Sequence, residues 1–299
     1  MPKRIVVPLD RSDFAESALP YALGLLDPDG TLALVSAVDP MIDPMGGIPN
    51  LEMVLQDAAE EYLAAIRKRL PDNMEVTTTV VTGSPVLSIK HFAEGFAADL
   101  VVLSTHGRGP MSRVWLGSVA DGLLRRTSIP VLLVRPHETG DPGIGQPVDL
   151  PRRVTVAHDG SDLANLLIDN LDLLGGDPDT SFDLTRVVVF PHIISSAYLP
   201  HTALANVNTR SEMEAVAKDE VERVAAALSA AGRKVETTVL TSEFVGPAIV
   251  EHASESGADV IMMATHGRRA VERLLLGSVA DKVVRESEVP VLVVPAHHE

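Results

Sequence analysis

The sequence predicts an α/β protein made of two doubly wound, five-stranded parallel-sheet domains that form a pseudo-dimer within one chain. Three observations predict it. Residues 105–134 and 265–294 match at 16 of 30 positions without a gap, at a constant offset of 160. Within each half, short runs of Val, Leu and Ile alternate with stretches of helical period. The chain is 45% hydrophobic but only 3% aromatic, so its core must be aliphatic, which suits strands covered by helices on both faces.

A length of 299 residues suggests about two domains of roughly 150 residues each. The starts of the halves also correspond. Ile5 to Asp13 reads IVVPLDRSD and Val154 to Asp162 reads VTVAHDGSD, at an offset of 149. The second copy therefore carries 11 extra residues (160 − 149), expected between Pro191 and Arg210, where no clear periodicity is visible. The Gly- and Pro-rich stretch 135–149 reads as a connection. The expected division is a first domain over 1–137, a linker over 138–150 and a second domain over 151–299.

In the first copy, aliphatic runs predict strands at 4–9, 31–38, 75–81, 100–104 and 130–135. Leu51, Val54, Leu55, Ala58, Tyr62, Leu63, Ile66 and Leu70 recur at helical spacing, which predicts a helix over 51–70. Helices are also expected over 13–26, 85–97 and 117–127. The second copy repeats the order, with strands near 153–158, 184–190, 235–240, 259–264 and 290–294. Its second helix is expected to start at Ser211, with Glu214 three residues on as a capping box. Strands alternating with helices imply right-handed crossovers and a parallel sheet. The last strand of each copy would be an open edge needing cover, and the two are expected to pair with each other.

A formal charge of −16 repels phosphate backbones and anionic lipid, so neither nucleic acid nor membrane is an expected partner. The absence of cysteine excludes disulfides, thiolate metal sites and cysteine nucleophiles. No apolar run approaches the ~18 residues of a membrane span, and the N-terminal run is too short for a signal peptide. The expected location is the cytoplasm.

In such a sheet, ligands sit beyond the carboxyl ends of the strands where the strand order reverses. Asp10 follows the first strand and Ser104-Thr-His-Gly107 the fourth. After nine further residues Gly107 is followed by Gly117-Ser118, at the start of an expected helix. The unpaired N–H groups and positive pole of a helix start favour a phosphate. Glycine lets the backbone come close, and Ser118 adds a hydroxyl. A carboxylate such as Asp10 can accept hydrogen bonds from ribose hydroxyls or help hold a divalent cation. A turn glycine and a Gly-Ser cap are also ordinary structural features, and duplication copies structure as well as function.

These segments resemble the universal stress protein family, in a tandem two-domain form covering nearly the whole chain. The family's ATP-binding pattern is Gly, two residues, Gly, nine residues, Gly, then Ser or Thr. The first copy has Ser104, Gly107, Gly117 and Ser118; the second has Ala264, Gly267, Gly277 and Ser278. The resemblance implies an adenine nucleotide in each half, ATP or else AMP or ADP, with magnesium as an optional companion held by Asp10 and Asp159. Gly107, Gly117, Ser118 and Val119 would cradle the phosphates, as would Gly267, Gly277, Ser278 and Val279. Adenine would rest near Ala37 and Val38, and near Phe190 and Pro191 in the second copy.

Three features depart from the pattern, one being Pro191, which removes a backbone donor close to the expected adenine position. The pattern's first glycine is Ser104 or Ala264, and Arg11 stands where the second copy has Gly160. Unequal occupancy of the two sites follows as an expectation. Arg108 and Arg268 are candidate phosphate contacts, with a solvated loop role as the alternative. His106 and His266 read as backbone-positioning residues, since no adjacent nucleophile accompanies them, and Trp115 as a packing residue.

The implied function is a nucleotide-binding stress or regulatory protein with little or no catalysis, acting through an unknown protein partner. Pairing through the last strands also leaves a homodimer open. A slow ATP hydrolase is the alternative, against which stand the missing Walker lysine and the missing base for a γ-phosphate. A degenerate scaffold, or a binder of another ligand, is the second.

Overall fold

The computed structural model describes residues 3–39, 50–105, 116–136, 143–161, 165–174, 177–190, 200–265 and 276–295. In the first half β1 (Arg4–Pro8), α1 (Asp13–Glu16), α2 (Leu19–Leu25), β2 (Thr31–Val38), α3 (Leu51–Arg67) and β3 (Glu75–Thr82) follow one another. They lead into α4 (Pro85–Gly95), β4 (Leu100–Ser104), α5 (Ser118–Leu124) and β5 (Val131–Val134). The second half runs β6 (Arg153–Ala157), α6 (Asn165–Asp169), a 3-10 turn (Leu171–Leu174), β7 (Ser181–Val188), α7 (Pro200–Ala230) and β8 (Lys234–Thr241). It closes with α8 (Val245–Ser256), β9 (Val260–Ala264), α9 (Ser278–Glu286) and β10 (Val291–Val294).

The ten strands form one sheet in the order β3-β2-β1-β4-β5-β10-β9-β6-β7-β8. Each half is parallel and doubly wound: β1 lies between β2 and β4, and β6 between β7 and β9. The halves join through β5 and β10, antiparallel, with Leu132 opposite Leu292. The expected pairing of the last strands is thus present, and each removes the other's open edge. Both apolar layers run across this seam. Ile5, Leu132 and Leu292 belong to one continuous cluster, and Val6, Leu133 and Val293 to the other.

Three sequence expectations are corrected. The helix expected over 13–26 is two helices, because Ser17 turns back on the Phe14 carbonyl and Pro20 has no N–H to continue the first helix. β7 starts at Ser181, not 184. The strand thus includes Asp183, which is buried at 2% exposure and bonded to His252. The helix expected from Ser211 starts at Pro200, a residue whose fixed φ and missing N–H suit a first helical position. Glu214 is not a capping residue; it accepts from the Thr241 hydroxyl at 2.6 Å and from Arg210 at 2.9 Å.

Strand registers locate most of the insertion. β2 pairs with β3 at a separation of 44 residues (Thr31↔Glu75), β7 with β8 at 53 (Ser181↔Lys234). Nine of the 11 extra residues (53 − 44) therefore lie between β7 and β8, where α7 has 31 residues against 17 in α3.

Residues 143–150, read from sequence as linker, lie on the first half as a strap. Ile144 is buried at 2% exposure within its core layer, and the Val148 N–H donates to the Pro20 carbonyl at 3.0 Å. Gly24 makes room for the strap, since a Cβ there would sit 2.3 Å from the Val148 carbonyl oxygen. Beside the strap, between Tyr21 and Leu174, the seam keeps a cavity of about 370 Å³.

Candidate functional site

The reversal of strand order opens a crevice between the carboxyl ends of β1 and β4, and a second between those of β6 and β9. Asp10 lies two residues past β1 and Ser104 ends β4. The two strands are hydrogen-bonded neighbours, so both residues stand at one crevice. Asp159 and Ala264 occupy the matching places around β6 and β9.

Each carboxylate is held by its own loop. The Asp10 Oδ1 accepts from the Ser12 hydroxyl at 2.5 Å and the Ser12 N–H at 3.1 Å. The Asp159 Oδ1 accepts from the Ser161 hydroxyl at 2.5 Å and the Ser161 N–H at 2.9 Å. The same turn thus orients both acids. Its middle residue has a left-handed backbone, with φ +66° at Arg11 and +72° at Gly160. Glycine adopts this freely, whereas an arginine there carries a strain of about 1–2 kcal/mol. His158, where the first copy has Leu9, is buried, and its Nδ1 accepts from the Gly160 N–H at 3.1 Å.

The second wall is a helix start. Gly117 precedes α5 and Gly277 precedes α9, both with φ −58° and ψ 147°, which any residue can adopt. Glycine is therefore present for space rather than for conformation. At Gly117 a Cβ would lie 3.2 Å from the Thr105 carbonyl oxygen. That carbonyl accepts the Gly117 N–H at 2.8 Å, and Thr265 accepts that of Gly277 at 2.9 Å. The glycine N–H groups are thus committed to the loop. The first intrahelical bonds are Asp121 N–H to Gly117 and Asp281 N–H to Gly277, both 2.9 Å. The N–H groups of Ser118, Val119 and Ala120, and of Ser278, Val279 and Ala280, therefore have no acceptor in their own helix. Ser118 and Ser278 are exposed.

The other expected positions are distributed as follows. Val38 is buried at 2% and its carbonyl accepts the Gly83 N–H at 2.9 Å, while Ala37 is half-buried beside it. Phe190 is exposed. Gly107, Arg108, Gly267, Arg268, His106, His266, Trp115 and Pro191 lie outside the described residues. Sequence reasoning missed a polar group beside Asp10. The Tyr62 hydroxyl donates to Glu16 at 3.0 Å and Arg69 bonds Glu16 at 3.2 Å. Burial, then the charge of Glu16, pushes the Tyr62 phenol above its ordinary range, and Asp10 adds to this. The signal was weak, since Tyr62 fell on the apolar stripe of a helix. Among the described residues no three His, Asp or Glu side chains cluster as a metal site. No helix among them is long and apolar enough to cross a membrane.

Comparison with known proteins agrees with this architecture. The sequence profile of the universal stress protein family matches residues 1–135 and 151–295. A universal stress protein of Methanocaldococcus jannaschii is 30% identical over 141 residues, 44% of this chain and 82% of that protein. One from Mycobacterium tuberculosis is 26% identical over 236 residues, 79% of this chain and 72% of its own length. The crystal structure of a universal stress protein from Archaeoglobus fulgidus superposes with a TM-score of 0.68 at 20% identity, covering 98% of this chain and 96% of that one. Two matches in tandem, on two halves that repeat one fold, show that this chain belongs to the universal stress protein family.

Proposed function

We propose that each half binds an adenine nucleotide and that the protein acts as a regulated binder with little or no catalysis. The observation that carries this reading is that an oriented carboxylate and an exposed helix start follow neighbouring strands at each strand-order reversal. Asp10 and the start of α5 stand at the ends of β1 and β4, and Asp159 and the start of α9 at those of β6 and β9. The helix N–H groups suit phosphate oxygens, and the aspartates suit ribose hydroxyls. In a chain of charge −16 a phosphate must be held by such local donors rather than by a basic surface. A magnesium ion fits only as a companion of the phosphates, with one aspartate and phosphate oxygens as ligands.

The sites are unequal in this reading. Arg11 places a cation at the first site, where the second has Gly160 and His158. The first site therefore favours the more highly charged nucleotide.

The test is mass spectrometry of the supernatant of denatured protein, followed by ATP titration of stripped protein. Bound adenine nucleotide, or saturable binding weakened about ten-fold or more by Asp10→Ala or Asp159→Ala, supports the reading; loss of one charged hydrogen bond is worth about 1.5–3 kcal/mol. Neither nucleotide nor affinity would sink it.

A further inference from the structure

The two candidate sites are joined by a continuous set of bonds through the seam. In the first half the Asp121 N–H donates to Gly117, the Gly117 N–H to Thr105, and the Thr105 N–H to the Val134 carbonyl at 2.8 Å. The start of α5 is thus tied to the last residue of β5. The next residue, Arg135, crosses the seam, and its guanidinium donates to the Arg285 carbonyl in the last turn of α9. That carbonyl lies at the negative pole of the helix whose positive pole is the Gly277-Ser278 end, so the cation caps it favourably. Burial lowers the pull of Arg135 on its proton, and Glu288 works against this.

A second set of contacts places α5 and α9 close together. Arg125 grips Asp121 through two bonds of 2.9 and 2.7 Å, and Arg285 grips Asp281 at 2.9 and 2.8 Å. Each guanidinium also feels the other helix's carboxylate, Asp281 at Arg125 and Asp121 at Arg285. This quartet obeys the repeat. Arg135 does not, because the matching position in the second half is Pro295, which has no side-chain donor.

We propose that Arg135 is a positioning residue linking the two sites, so that a nucleotide bound at the start of α5 alters binding at the start of α9. The proposal rests on the nucleotide reading above. A ligand that draws on Ser118 and Val119 shifts the Gly117–Thr105–Val134 ladder, and Arg135 passes the shift to α9. The coupling is one free energy and acts equally in both directions, although one side chain carries it.

Hydrogen–deuterium exchange of the full chain, with and without ATP, tests this in a variant whose second site is blocked by Gly277→Val. The backbone there accepts valine. Asp159→Arg serves as an independent block should the first fail to fold. With ATP confined to the first site, exchange across 117–124 slows, and exchange across 278–286 slows about five-fold or more, the lower range of such couplings. Adding Arg135→Met removes the ATP effect at 278–286 and keeps it at 117–124, while Arg135→Lys restores part of it. Protection at 117–124 alone in the blocked chain overturns the coupling and leaves nucleotide binding intact. An ATP effect at 278–286 that survives Arg135→Met shows a merely structural arginine and also overturns it. Protection in neither half overturns both readings.

Discussion

Replacing His252 by Phe should destabilise the second half by about 3–5 kcal/mol, and adding Asp183→Ala to the same chain should restore the loss. Asp183 sits on β7 with its side chain 3% exposed, His252 on α8 at 16%, and their Nε2 and Oδ2 atoms are 2.6 Å apart. The other carboxylate oxygen of Asp183 is buried with no hydrogen bond among the described residues, as is the hydroxyl of Thr155 opposite it. Removing the histidine leaves a buried carboxylate without its partner, which costs about 3–5 kcal/mol. Asp183→Ala alone strands one imidazole nitrogen at the edge of the core, for about 1–3 kcal/mol. The double variant leaves neither group. It also rebuilds what the first half already has: Ala33 and Phe92 occupy the equivalent positions, by strand register and by the repeat that matches Ile89 and Ala93 to Ile249 and Ala253. Replacing a buried pair by apolar residues is commonly neutral or stabilising by about 1–4 kcal/mol. Urea unfolding of the wild type, both singles and the double closes the cycle, with midpoints compared at unchanged slope. A double variant as unstable as His252→Phe would refute the argument and place the cost in shape rather than charge.

Three further outcomes are expected. Leu132→Ala removes a fully buried side chain at the seam and should cost about 2–5 kcal/mol, in a single urea transition because both core layers cross the joint; separate transitions for the two halves would contradict this. Gly24→Ala drives a Cβ into the Val148 carbonyl, 2.3 Å away, and should cost about 1–3 kcal/mol; an unchanged melting temperature would show that the strap yields freely. At alkaline pH the phenols of Tyr21 and Tyr62 stay protonated in the fold, since burial raises both. Above about pH 10 the unfolded chain therefore binds fewer protons, and stability falls as pH rises. Ultraviolet titration should show these two rings ionising only together with unfolding, and ionisation of either near pH 10 in the folded protein would count against their burial.

Local pattern and repetition made most of the fold legible. The constant offset of 160 separated the halves, and aliphatic runs placed β1, β4, β6 and β9, whose neighbours bury both faces. Reading failed where one residue meant something only through a distant partner. β7 begins before Asp183, and the histidine that makes the burial of this aspartate tolerable lies 69 positions away. Ser211 and Glu214 had the spacing of a capping box, but Glu214 answers to Thr241 across the fold. The strap read as a connection because of its Gly and Pro content, whereas Gly145 is a site of close backbone approach, where a Cβ would lie 2.4 Å from the Arg69 carbonyl oxygen. At the candidate sites, the aspartates and helix starts were legible because they sit at strand and helix ends. The commitment of the Gly117 N–H to Thr105 was not, since it depends on how the loop closes.

Joining two copies in one chain also explains why the halves differ where they do. In a symmetric dimer any substitution near the twofold axis occurs on both sides, so a residue that helps one helix must suit the other. Here Arg135 caps α9 while Pro295 stands in its mirror position, and the strap at 143–150 is bonded to Pro20 of the first half. The cores diverge too, with Ala33 and Phe92 in one and Asp183 and His252 in the other. The crevices follow the same course, with Arg11 against Gly160 and Leu9 against His158. The seam itself is shared by both halves, with Leu132 paired to Leu292 and each half contributing one arginine and one aspartate to the charge quartet. Fusion therefore frees each half to diverge at positions that a twofold axis would force to change together, as Arg135 and Pro295 do across the seam.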